Sequence, residues 1–130
     1  MTKKEIIVHE GFMPHGPNVP HAVKVGNTIE YSAIRPARPD RTTADTVEEQ
    51  AIDVFSNFER LLKEDGLDWK NVVKVRVYVT KSEMIKAVND VWAEKFPADI
   101  RPARVVIGAA FLAGENTMTT FDATANTDID

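Results

Sequence analysis

The stretch Val72–Thr80 constrains this chain more than any other. Val73, Val75, Val77 and Val79 alternate with Lys74, Arg76, Tyr78 and Thr80, and a period of two puts one set on each face of a strand. Such a strand is half buried, so it needs a sheet with one apolar face and something to cover that face. The cover is written on either side of it. Val47, Ala51, Val54, Phe55, Phe58, Leu61 and Leu62 recur at helical spacing. Thr46 and Glu49 stand at the spacing of a capping box before them, and Gly66 supplies the stop. Ile85, Val88, Trp92 and Phe96 form the inner stripe of a second helix, predicted to be capped by Ser82 and ended by Pro97.

The other elements are shorter. Glu5–His9 is a β-prone run, and Gly11–Pro20 carries too much glycine and proline to be anything but loop. Ala22–Val25 and Thr28–Ala33 read as a hairpin about Gly26-Asn27, with Ile29, Tyr31 and Ala33 on one face and Glu30 and Ser32 on the other. Ala103–Phe111 and Thr117–Ala125 are two further strands on either side of Gly114-Glu115-Asn116, and Asn126–Asp130 is a polar tail. The order β-ββ-α-β-α-ββ predicts an α+β protein. It forms a single domain over residues 1–130, with its core in 6–125 and one mixed sheet carrying both helices on one face. Two helices cannot cover both faces. Val23, Val25, Ala109 and Phe111 are apolar candidates for the open one, and self-association through it is expected.

Absences narrow the chemistry. The chain has no cysteine, so disulfides, thiolate metal sites and cysteine nucleophiles are excluded. The net charge of −4 disfavours nucleic acid as a partner. The apolar stretch Ile6–Val8 is too short for a signal peptide or a membrane span, and a cytoplasmic location without membrane contact is expected. Arg35, Arg38 and Arg41 form a basic run among Pro36, Pro39 and Asp40. A solvated loop is its ordinary reading and a phosphate-binding patch the alternative.

Pro102-Ala103-Arg104 follows a helix ending in Phe96 and leads into an apolar strand. Gly16-Pro17 precedes His21-Ala22-Val23, and Val25-Gly26-Asn27 precedes Tyr31-Ser32. Gln50, Asn57, Gly66, Asn89 and Asp122-Ala123 with Ala125 keep the same order and spacing. Jointly, from about Ile6 to Ala125, the chain resembles the Rid (YjgF) family of reactive-intermediate deaminases. The resemblance implies a chorismate-mutase-like fold with a six-stranded sheet, a homotrimer, and clefts between subunits that bind small carboxylates. It implies hydrolysis of imines and enamines to keto acids and ammonia, with no metal or organic cofactor. It makes Arg104 the substrate-carboxylate anchor, since a guanidinium grips a carboxylate with two parallel hydrogen bonds. Val19, Ser32, Ala33, Ile34 and Asn89 would line the cleft. The chain also departs from the family. The acidic residue that helps position the attacking water falls at Thr120, the glycine and glutamine after Ser32 are Ala33 and Ile34, and the tyrosine-serine pair of the first loop falls near Val19 and Pro20.

Thr120 can hold a water but cannot act as a general base near neutrality. His21, or His15, could supply that function, with His9 a weaker candidate; ordinary loop histidines are the alternative. The spacing of the three matches no helical pair of metal ligands. Ser32 lacks a nucleophile elbow, and Trp69 and Trp92 read as packing residues. Two functions remain open: an imine or enamine deaminase, or a trimer that binds a small carboxylate without turnover. An RNA-cleaving activity, also ascribed to the family, fits the net acidity poorly.

Overall fold

A computed structural model of the chain describes residues 2–12, 16 and 18–130. Its strands are β1 (Lys4–Ile7), β2 (Ala22–Val25), β3 (Thr28–Ile34), β4 (Val72–Val79), β5 (Ala103–Gly108) and β6 (Thr119–Asn126), and its helices are α1 (Val47–Glu64) and α2 (Ile85–Lys95). They form one sheet in the order β1-β2-β3-β6-β4-β5. Among the described strands only β4 and β5 pair in parallel, and α2 makes the crossover that a parallel pair requires. Both helices cover one face. Phe55 of α1 is the hub, packing edge-on against Phe121 with ring centroids 4.9 Å apart and meeting Trp69, Trp92 and Phe96.

Helix α1 starts and stops as its sequence dictates. The Thr46 side chain accepts the Glu49 amide hydrogen. Gly66, at φ 72°, closes the C-terminus with its amide on Lys63 O and that of Leu67 on Leu62 O. Helix α2 starts differently. Ser82 does not cap it; Ser82–Met84 form a 3₁₀ turn, and Met84 stands at the cap without a side-chain bond.

Two bulges correct the strand patterns. Tyr31 lies opposite Ala123 and Ile34 opposite Phe121, so three steps on β3 face two on β6. The extra residue turns Ile34 into the core and leaves Ala33 exposed. Val72 lies opposite Ala125 and Lys74 opposite Thr124. Val72 is therefore buried with Val75, Val77 and Val79, while Val73 points to solvent. The last two strands are shorter than expected: β5 ends at Gly108, which leaves Ala109 and Phe111 outside it. Phe111 is 82% exposed. The first strand ends at Ile7, so His9 lies beyond it.

The face away from the helices carries Glu30, Arg76, Tyr78, Asp122 and Thr124. Asp122 accepts from Arg76 at 2.7 Å and from Tyr78 at 2.6 Å, and Glu30 accepts from the Thr124 hydroxyl. Val23 and Val25 share this face, since they lie opposite Glu30 and Thr28. The polar tail is tied down: Thr127 N donates to Asn27 O, and the buried Asn71 donates to Asn126 O at 2.9 Å. Among the described residues, no helix is long and apolar enough to cross a membrane.

Candidate functional site

Arg104 stands on edge strand β5, in register with Val75 of β4, so its side chain leaves the sheet on the helix face. It meets α2 there. Its guanidinium lies 4.8 Å from the Trp92 ring centre and donates to Asn89 Oδ1 at 2.7 Å. Asn89 and Trp92 are three apart and share one side of the helix. Burial lowers the Arg104 pKa below its ordinary value, yet the group stays charged in any ordinary buffer. No described carboxylate forms an ion pair with it. A half-buried cation, stacked on an indole and held by a neutral amide, still has donors for a planar anion.

The other expected site residues lie elsewhere on the same chain. Arg104 pairs with Val75, Val75 with Ala123, and Ala123 with Tyr31. Three strand spacings, about 14 Å, separate Arg104 from Tyr31, the neighbour of Ser32. Ser32 closes the first loop instead, its hydroxyl donating to Pro20 O at 2.8 Å and its amide to His21 O. Ala33 and Ile34 follow at the bulge, Ala33 exposed and Ile34 in the core. Thr120, in register with Tyr78, lies on the face opposite Arg104. Among the expected residues, then, one chain brings Arg104 to Asn89 and Ser32 to His21, but does not join the two groups.

His21 is 6% exposed. With Val19 and Pro20 it lines a cavity of about 260 Å³ beside Ile6 and Val8. Its Nδ1 accepts the His9 amide hydrogen at 3.0 Å. That bond assigns the neutral ring a hydrogen on Nε2. His21 can thus offer a hydrogen bond, but the lone pair a general base would use is engaged at Nδ1. The His9 ring lies against Asp65, Nε2 to Oδ1 2.8 Å, and Asp65 Oδ2 accepts from the Tyr31 hydroxyl at 2.6 Å. This buried Tyr31–Asp65–His9 chain was not foreseen in the sequence, where its members stand more than twenty residues apart. His15 lies outside the described residues. No group of three potential ligands for a metal converges among the described side chains.

Comparison with known proteins agrees with this architecture. The family model described as Endoribonuclease L-PSP matches residues 10–125. A RutC family protein of Aquifex aeolicus is 33% identical over 109 residues, covering 81% of this chain and 85% of its own length. A 2-iminobutanoate/2-iminopropanoate deaminase of Dermatophagoides farinae is 31% identical over 101 residues, 76% of this chain and 77% of its own. The crystal structure of yeast Mmf1 superposes with a TM-score of 0.87 at 26% identity, covering 95% of this chain and 98% of that one. The chain belongs to the Endoribonuclease L-PSP family, the Rid (YjgF) group that its sequence resembles.

Proposed function

We propose that this protein is a deaminase-like enzyme that hydrolyses a small imine or enamine carboxylic acid, in a cleft completed by a second copy of the chain within a homotrimer. The observation that carries the reading is Arg104, a partly desolvated guanidinium with an amide and an indole as partners and, among the described residues, no carboxylate. A relative named as an iminobutanoate/iminopropanoate deaminase supports the chemistry. The carboxylate of the substrate would take the fork of Arg104. Water adds to the imine carbon, the resulting amino alcohol loses ammonia, and a keto acid remains. One water is consumed and no electrons are exchanged.

A protonated imine is already electrophilic, so positioning and charge stabilisation suffice without a strong base. Thr120 would hold the water and His21 would donate a hydrogen bond. Val19, Ser32, Ala33 and Ile34 would come from the neighbouring copy, because one chain keeps β3, which carries the last three, about three strand spacings from Arg104. Partners under this reading are a small carboxylate metabolite and the chain itself.

A second reading has its own observation. Thr120 stands where the resemblance puts an acid, and the His21 lone pair is engaged; a trimer so built could bind a carboxylate without turnover. Ammonia release from an imine acid generated in situ separates the two. The enzyme reading expects release above the uncatalysed rate in wild type and not in Arg104→Ala. Saturable keto-acid binding with no accelerated release would establish the binding protein instead.

A further inference from the structure

Four of the seven arginines in the sequence, Arg35, Arg38, Arg41 and Arg60, line one cavity of about 290 Å³, and among the described residues no carboxylate lines it. This is notable in a chain of net charge −4. The cavity is walled by Phe12, Asn57 and Leu61 and floored by the Ala33–Ile34 bulge. Arg60 comes from α1 and the other three from the loop after β3, so sequence distance hides the cluster.

The arrangement is braced from outside the cavity. Asp53 and Glu49 on α1 hold the Arg38 guanidinium at 2.8 and 2.9 Å. Asn57 Nδ2 donates to the carbonyls of Arg35 and Ala37 at 2.7 and 2.8 Å, pinning the loop to the helix. Arg38 and Thr42 close the loop on itself, with Arg38 N on Thr42 O and Arg41 N on Arg38 O. Arg41 sits at φ 71°, in the left-handed region that a non-glycine residue enters at a cost. Arg60 is stacked over the Phe12 ring at 4.3 Å, which leaves an aromatic wall beside a cation.

We infer that this cavity, which does not include Arg104 but borders the proposed deaminase cleft through His21 and the Ala33–Ile34 bulge, is a second ligand site that takes the phosphoryl group of a small phosphorylated metabolite. A phosphate monoester carries close to two negative charges and three acceptor oxygens, which several guanidinium forks can share. Phe12, Leu61 and Ile34 would meet a compact apolar or cyclic remainder. The volume is at the small end for ligand pockets, which suits a compact molecule. The chain's net acidity disfavours a polyanion that must approach over a wide surface.

Isothermal titration of the full-length protein with phenyl phosphate tests the assignment, with inorganic phosphate, succinate and a short single-stranded RNA as parallel probes. Phenyl phosphate should saturate with Kd of about 1 mM or below, several-fold tighter than inorganic phosphate and at least tenfold tighter than succinate. Arg41→Gly, which suits the left-handed backbone, and Arg60→Gln, at an exposed helix position, should each weaken it tenfold or more while leaving thermal stability and keto-acid binding unchanged. Arg104→Ala should leave phenyl phosphate binding intact. Four outcomes would each overturn the inference: no saturation by about 10 mM, wild-type affinity in both arginine variants, loss of binding in Arg104→Ala, or RNA or succinate binding as tightly as phenyl phosphate.

Discussion

Arg76 and Arg38 end on carboxylates, whereas Arg104 ends on an amide and an indole. That difference in partners, more than exposure, is why Arg104 is proposed as the anchor for an incoming acid. Removing it by Arg104→Ala should cost about 2 kcal/mol or more in keto-acid binding, since a charge-assisted contact is lost. Arg104→Lys should recover only part, because an ammonium cannot form the fork. Calorimetric titration with 2-oxobutanoate measures both; equal affinity in wild type and alanine variant would remove Arg104 from the site. A second residue-scale expectation concerns alkali. Burial first, and the Asp65 carboxylate second, raise the Tyr31 pKa far above its ordinary 10.0. Tyr78 is raised too, chiefly by its bond to Asp122. The folded state thus keeps protons that the unfolded state releases above about pH 10, so stability is full below that pH and falls as pH rises through it. Tyr31→Phe should flatten part of this fall. It should also lower stability at neutral pH by about 1–3 kcal/mol, because Asp65 loses a buried donor. Urea midpoints at several pH values read both effects; an unchanged alkaline slope in the phenylalanine variant would contradict the first.

Among the elements, α1 was legible in its bounds and apolar stripe, because these are local signals, although Glu49 of the expected capping box turns its carboxylate to Arg38 instead of back to Thr46. The strands were legible in existence and less so in facing. A bulge adds one residue and reverses every side chain beyond it, and nothing in the alternation of Val73 to Val79 or Ile29 to Ala33 marks that register change. The Ser82 turn failed for the same reason: a serine before an apolar stripe suits a cap, but local backbone geometry decides whether one forms. In the candidate site, Arg104 and Asn89 stood out only through resemblance, and the arginine cavity only in its loop half. Gln50 shows what long-range structure adds. Wholly buried, it donates to Ala44 O and Asn116 O and accepts from Met118 N, tying α1 to the segment that enters β6. Gln50→Leu should cost about 2–4 kcal/mol by leaving these backbone groups unpaired. Hydrogen exchange at Met118 should quicken beyond the global effect; unchanged protection there would refute the tie.

For the molecule as a whole, the helices bury one sheet face and leave the other with Val105 and Ile107 more than a third exposed beside the Arg76–Asp122–Tyr78 cluster. Association through that face, in a closed ring, would cover it. Sedimentation should therefore find a species near three times the 14.5 kDa chain mass; a monomer at low micromolar concentration would contradict it. The central claim is that Arg104 and the Ser32–Ile34 bulge form one site only across two chains. Mixed oligomers test it most directly. Arg104→Ala and Ala33→Trp should each lose keto-acid binding alone. When the two are unfolded together and refolded, about one interface in four should pair an intact Arg104 with an intact bulge and recover binding at wild-type affinity. Failure of the mixture to recover any binding beyond its parents, with mixed assembly verified by mass, would contradict the shared site.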